Sequence, residues 1–172
     1  MKIIVTAVAS LLLLTFNSSA QIKSTYTNLG AKHCKTIELT SDEGGSYRGI
    51  CPGVGGYKLE LLEGDLRQSI NLIDPKKKKH ELSLWDVSGG FSSIGEEAEW
   101  RMKGKTPIAL IVRYNVSENP EDSSRLTSYL IVVKLTKDST CVTHALKPTR
   151  SHNYEARKAA DASASKPCYQ RS

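Results

Sequence analysis

Hydrophobic and polar residues alternate with a period of two along much of the chain, a pattern typical of strands with one buried and one exposed face. The alternation is clearest over residues 57–62, 66–73 and 82–85. The intervening Glu63-Gly64-Asp65 segment is short and turn-forming. The first two strands are therefore predicted to pair as a hairpin, and a third strand is predicted to begin at His80.

A second hairpin is predicted from residues 100–103, a turn at 104–107 and a strand over 108–116. Residues 108–112 are apolar at every position, and 126–136 is similarly rich in β-branched and apolar residues. Such strands are typical of the centre of a core, buried on both faces. Short strands with frequent turns predict an all-β fold, an antiparallel sandwich or barrel-like sheet.

The tail departs from the strand pattern. Asn153 is predicted to cap a short, alanine-rich C-terminal helix over residues 154–164, because Pro167 follows its end. The helix has few large apolar residues, so it is expected to bury little surface by itself. Residues 52–56, with three glycines, predict a tight or bulged turn that brings Tyr57 into register.

The first twenty residues have the pattern of a secretory signal peptide. Lys2 precedes an apolar run over 3–16, and small residues at Ser18 and Ala20 precede a cleavage site before Gln21. The run is too short and too often interrupted for a membrane anchor. We expect a signal peptide at 1–20, a β-rich domain at 21–152 and a helix and tail at 153–172. The mature protein is expected in the periplasm or secreted, without stable membrane insertion.

Four cysteines follow the predicted cleavage site: Cys34, Cys51, Cys141 and Cys168. An exported protein meets an oxidising compartment, so two disulfides are expected. Three pairings are open, and we favour Cys34 with Cys51 and Cys141 with Cys168 because each pair brackets a short local segment. The second bridge would tie the C-terminal helix back to the last strand.

A metal site is the alternative reading of the same cysteines, using Cys34 beside His33 and Cys141 with His144. Zinc sites usually combine two closely spaced ligand doublets, and here only the second doublet has usable spacing. We therefore predict no metal ligands and no cofactor.

The chain is basic, with 24 Lys and Arg against 18 Asp and Glu, a net charge of +6 and only 6% aromatic residues. Loss of Lys2 with the signal peptide lowers the net charge to +5. A run of four lysines, Lys76, Lys77, Lys78 and Lys79, precedes His80. The run is interpreted as a solvated hairpin tip that protects a strand edge, with an anion-binding loop as the alternative. Without interleaved aromatic residues, it predicts no nucleic-acid partner.

The sequence contains no serine elbow, and a bare S-x-x-K match at 163–166 has no companion motifs and is interpreted as chance. Neighbouring carboxylates occur at Glu63 with Asp65 and in the 96–99 segment, but no pattern marks a pair for acid–base work. A non-enzymatic binding or structural domain is favoured. The alternatives are a small envelope-directed hydrolase acting near the 53–57 turn and an inhibitor of an envelope-attacking enzyme. A deep pocket with convergent titratable groups would favour the hydrolase, and a flat surface the binding domain.

Three stretches resemble segments found together in uncharacterised small exported proteins of Gram-negative bacteria. They are residues 51–57 running into 63–67, residues 99–101 followed by 107–114, and the Cys141 strand followed by a helix containing Ala and Arg. Together they cover about half of the mature chain. The resemblance implies a periplasmic setting and a single domain, and it brings no activity and no functional residue. A protein or glycan of the cell envelope is the expected partner.

Overall fold

The computed structural model describes residues 21–41, 44–119 and 121–170, so the predicted signal peptide lies outside the described residues. These residues form ten strands and one α-helix, with short 3-10 turns at Ala31–His33, Leu84–Asp86 and Ser163–Ser165. The strands are β1 (Ile22–Asn28), β2 (Lys35–Thr40), β3 (Ser46–Pro52), β4 (Lys58–Gly64), β5 (Arg67–Ile73), β6 (Lys79–Glu81), β7 (Ser92–Lys103), β8 (Thr106–Ser117), β9 (Leu126–Leu135) and β10 (Thr140–Leu146); α1 is His152–Asp161.

All ten strands belong to one hydrogen-bonded sheet, which does not close into a barrel. Its order is β10-β9-β8-β7-β5-β4-β3-β2, with β1 beside β7 and β6 beside β5. Every pairing is antiparallel except that of β5 with β7, which meet in parallel at Arg67 and Ser92. Beyond this point β5 pairs with β6 and β7 pairs with β1, so the two strands diverge. We call β2–β6 the first half of the sheet, and β1 with β7–β10 the second half.

The two halves face one another across a shared hydrophobic core. Leu59 and Ile70 of the first half are fully buried in the same cluster as Trp100, Leu110 and Ile131 of the second half. Their positions follow the period-two alternation of each strand, which sends every second side chain to the inner face. The predicted all-β fold with a short C-terminal helix is therefore confirmed, as are both predicted hairpins.

β8 and β9 are buried on both faces, as their unbroken apolar runs predict. Ile111 and Val132 lie on the face opposite the shared core, where they pack with Ala156 and Ala160 of α1. The helix contributes only small side chains to this contact, and these allow its backbone to lie close to the sheet. The second half is consequently the central layer of the molecule, with the first half on one side and α1 on the other.

Charged groups hold α1 to β7 as well. Arg101 Nε donates to Asp161 Oδ1 at 2.7 Å and its Nη2 donates to Oδ2 at 2.8 Å, a bidentate arrangement. Arg157 Nε donates to Glu99 Oε1 at 2.7 Å. Arg101 is only 7% exposed, and the ion pair raises its pKa above the ordinary arginine value. A helix with little apolar surface is thus fixed by two ion pairs that strand periodicity alone did not predict.

Two local predictions are corrected. The strand beginning near His80 ends at Glu81, because Ser83 has a left-handed backbone with φ of 47° that cannot continue a strand. The helix begins at His152 instead of following Asn153, with Ser151 at its N-cap position. The Ser151 hydroxyl donates to the Glu155 carboxylate and makes no hydrogen bond to a backbone amide of the first turn.

Both favoured disulfides are present, Cys34–Cys51 and Cys141–Cys168. The first joins the segment before β2 to β3, and the second joins the segment after α1 to β10. The backbone amide of Tyr169 also donates to the Val142 carbonyl at 2.7 Å. All four cysteine sulfurs are bonded in disulfides and cannot also bind a metal ion. The alternative interpretation of the cysteine and histidine doublets as metal ligands is therefore wrong. None of the helices in the described residues is long and apolar enough to cross a membrane.

The Cys141–Cys168 bridge is expected to contribute strongly to stability because it closes a 27-residue segment. The double variant Cys141→Ala/Cys168→Ala should lose about 3 to 4 kcal/mol of unfolding free energy through the larger entropy of its unfolded chain. Urea denaturation followed by circular dichroism measures this loss. A loss below about 1 kcal/mol would contradict the expectation and indicate that the ion pairs and helix packing suffice.

Candidate ligand-binding cleft

A cleft of about 910 Å³ opens between the two halves of the sheet. It lies at the ends of β5 and β7 that point away from the Arg67–Ser92 bridge, where the two strands have separated. Lining residues of the first half include Tyr57, Asp74, Pro75, Lys76, Lys78 and His80. Those of the second half include Thr106, Pro107, Lys137, Asp138, Ser139 and Thr140. The cleft therefore combines polar, charged and apolar groups from both halves.

The glycine-rich turn before β4 places Tyr57 at the cleft. Gly53 approaches Trp100 and the Tyr57 carbonyl so closely that a Cβ at this position would lie only 2.6 Å from the carbonyl oxygen. Gly55 has φ of +60° beside Pro107. The Tyr57 ring then packs near the buried Trp100, with ring centroids 6.0 Å apart. The predicted turn is confirmed, and it positions Tyr57 against Trp100 of the second half.

Asp74 organises the loop between β5 and β6. Its Oδ1 accepts hydrogen bonds from the backbone amides of Lys76 and Lys78, both at 2.9 Å, and its Oδ2 lies 3.2 Å from His80 Nε2. Desolvation would raise the pKa of Asp74, but these hydrogen bonds outweigh it and hold the pKa below its ordinary value. Both carboxylate oxygens are thus occupied within the loop.

Strand alternation separates the last lysine of the run from the cleft. His80 pairs directly with Leu72, a core residue, so His80 lies on the inner face of the sheet. Lys79 pairs with Ile73 and lies on the outer face. There its ammonium group is 2.8 Å from Glu60 Oε2. Neighbouring residues of β6 therefore have different surroundings, one at the cleft and one in an ion pair behind the sheet.

Glu60 is the buried centre of this outer-face network, only 2% exposed. It contacts Lys79, accepts a hydrogen bond of 3.1 Å from Asn71 Nδ2, and lies 3.6 Å from Arg48 Nη1. Burial alone would raise the pKa of Glu60, but the hydrogen bonds and the two cations outweigh it and lower the pKa. The carboxylate is therefore ionised in the folded protein, and Lys79 has a structural partner.

The lysine run is consequently not one uniform patch. Lys76 and Lys78 line the cleft, whereas Lys77 is exposed outside its lining and has a left-handed backbone with φ of 68°. Lys79 is engaged by Glu60. Sequence reasoning identified the loop but not this division. It also missed Lys137, whose only sequence signal is its place in a turn after a doubly buried strand.

Carboxylates that are close together in the sequence lie in different surroundings in the folded protein. Asp65 pairs with Arg67, and Glu99 pairs with Arg157. Glu63 and Glu96 instead line a smaller cavity of about 380 Å³ beside β2. In that cavity Glu63 Oε2 accepts a hydrogen bond of 2.7 Å from Gln68 Nε2. Across residues 21–41, 44–119 and 121–170, no group of three or more His, Cys, Asp or Glu side chains could hold a metal ion.

No protein-family model matches the chain, and no curated protein or solved structure matches it. The chemistry of the cleft is therefore the basis on which a function can be proposed.

The division within the lysine run can be tested by stability. Lys79→Ala should lower the unfolding free energy by about 2 kcal/mol, because it leaves the buried Glu60 carboxylate without its nearest cation. Lys77→Ala, the matched control in the same run, should change it by less than about 0.5 kcal/mol. Urea denaturation at neutral pH measures both. Equal effects of the two substitutions would refute the structural role assigned to Lys79.

Proposed function

We propose that this protein is an exported, non-enzymatic binding domain that holds its ligand in the cleft between the two halves of the sheet. The observation that carries the proposal is the cleft itself. Its volume of about 910 Å³ is in the range of sites that enclose small ligands, and both halves contribute to its lining. The signal-peptide pattern of residues 1–20 supports export, and the two disulfides are compatible with an oxidising compartment such as the periplasm.

The lining has the mixture of groups that ligand recognition requires. The Tyr57 ring, Pro75 and Pro107 offer apolar surface, while Thr106 and Thr140 offer hydroxyl groups. Asp74 orders the loop on one wall through its backbone hydrogen bonds. A wall ordered before binding reduces the entropic cost of association. A glycan of the cell envelope matches this lining, because its hydroxyl groups and apolar ring faces are complementary to both kinds of surface.

Filling the cleft should weaken glycan binding. Thr140→Trp places a large side chain in the lining, and it should weaken binding of envelope glycans on an array by at least about tenfold. Thr36→Trp, a substitution of the same kind on the exposed strand β2, should leave binding unchanged. Thermal unfolding establishes that both variants fold. Glycan binding that persists in Thr140→Trp, or no glycan binding by the wild-type protein, would contradict the proposal.

A hydrolase is the second candidate, and the Asp74–His80 pair favours it. The 3.2 Å contact between Asp74 Oδ2 and His80 Nε2 resembles the way a carboxylate orients an imidazole that acts as a general base. The cleft is also concave and contains titratable groups, the two features expected of the hydrolase alternative. Binding remains the first candidate because, among the described residues, no hydroxyl or thiol nucleophile is hydrogen-bonded to His80.

The binding domain and the hydrolase differ in whether the protein cleaves the glycan that it binds. We expect the purified protein to release no new reducing ends from a glycan that it binds. Glycoside hydrolysis ordinarily uses a pair of carboxyl groups, and of the two carboxylates in the described lining Asp74 is occupied by its loop, which leaves Asp138. The assay should give the same result for His80→Asn. Release by the wild-type protein that disappears in His80→Asn, with glycan binding retained, would establish the hydrolase instead.

A further inference from the structure

We propose that the cleft recognises an acidic sugar, whose oxyanion group is bound by Lys76, Lys78 and Lys137. This inference rests on the proposed binding function and names the chemical class of the ligand. A carboxylate, a sulfate and a phosphate group share the required chemistry, since each presents several anionic oxygens to ammonium donors.

The three lysines come from opposite walls of the cleft. Lys76 and Lys78 belong to the loop between β5 and β6, and Lys137 belongs to the turn between β9 and β10. Within the described residues none of these ammonium groups forms an ion pair, in contrast to Lys79, which Glu60 engages. Their charge is therefore available to a ligand that bridges the two halves.

The carboxylates in the lining offset only part of this charge. Asp74 directs Oδ1 to the backbone amides of its own loop and Oδ2 to His80, so its oxygens are already occupied. Asp138 is exposed beside Lys137 in the β9–β10 turn. Three lysines therefore face two carboxylates, which leaves an excess of one positive charge in the lining, with His80 not counted.

Asp74 also determines which lysines reach the cleft. By binding the amides of Lys76 and Lys78 it fixes a loop in which Lys77 takes the left-handed conformation between them. Lys76 and Lys78 then share the lining, while Lys77 remains outside it. The arrangement places two ammonium groups on one ordered wall before any ligand arrives.

The rest of the lining favours a sugar over other anionic partners. The Tyr57 ring offers an apolar face, and Thr106 and Thr140 offer hydroxyl donors and acceptors for sugar hydroxyl groups. Tyr57 is the aromatic side chain of the lining, so successive bases of a nucleic acid would find no series of stacking platforms. The lysines border a concave cleft, whereas a membrane surface is flat.

Isothermal titration calorimetry with the purified protein tests the inference. The probes are trigalacturonic acid and glucose 6-phosphate as acidic sugars, maltotriose as the neutral control, inorganic phosphate, and phosphatidylglycerol vesicles. We expect at least one acidic sugar to bind at least about tenfold more tightly than maltotriose. Preference for trigalacturonic acid identifies a carboxylate as the recognised group. Preference for glucose 6-phosphate, with competition by inorganic phosphate, identifies a phosphate.

Substitutions test whether the lysines that line the cleft contribute more to binding than Lys77, which lies outside the lining. The double variant Lys76→Gln/Lys78→Gln and the single variant Lys137→Gln should each weaken acidic-sugar binding by about tenfold or more. Lys77→Gln, which removes one charge outside the lining, should change the binding by less than about twofold. Equal effects of Lys77→Gln and Lys137→Gln, each of which removes one charge, would overturn the inference, since binding would then depend only on the total charge of the protein.

The remaining outcomes distinguish this inference from the proposed function. Equal binding of maltotriose and the acidic sugars, lost in Thr140→Trp, would overturn the acidic-sugar inference and leave the binding cleft intact. Acidic-sugar binding that persists in Thr140→Trp would overturn both the acidic-sugar inference and the proposed binding cleft. Binding to the vesicles alone would overturn the acidic-sugar inference and indicate that the protein binds a lipid surface. No binding of any probe would overturn the inference, and the glycan array would then decide the proposed function by itself.

Discussion

The single parallel contact between β5 and β7 is the constraint on which the architecture depends. The two strands meet at Arg67 and Ser92, and then each takes a different neighbour, β6 or β1. One continuous sheet can therefore fold over itself at one end and remain open at the other. The shared core lies between the two halves, and the cleft opens at the strand ends away from the junction. The position of the candidate site is thus a consequence of strand pairing.

The second half of the sheet supplies a rigid wall to that site. β8 and β9 are packed on both faces, by the first half on one side and by α1 on the other. The helix is held by Arg101 and Arg157, and the Cys141–Cys168 bridge joins the segment beyond it to β10. In the part of the chain that the structure describes, no helix packs behind the first half, and its outer face contains the network around Glu60. The walls of the cleft are therefore supported in different ways.

Sequence patterns predicted most of the fold because each depends on neighbouring residues. Alternation predicted the hairpin of β4 and β5, unbroken apolar runs predicted β8 and β9, and local spacing favoured both disulfides. The end of β6 was mistaken because the left-handed conformation of Ser83 has no signal in its side chain. The cleft could not be predicted, since Lys76 and Lys137 come together only through the folding of the sheet. The different surroundings of Lys76 and Lys79 likewise depend on where β6 begins.

The composition of the cleft has a consequence for how the molecule folds. Its walls come from segments distant in the chain, from Tyr57 in the turn before β4 to Thr140 at the start of β10. Local hairpins can form early, whereas contacts between remote segments require closure of long loops and form slowly. A partly folded chain can thus contain native hairpins and a native disulfide without having a cleft. Occupancy of the cleft would therefore report completion of folding, which the formation of either disulfide alone would not.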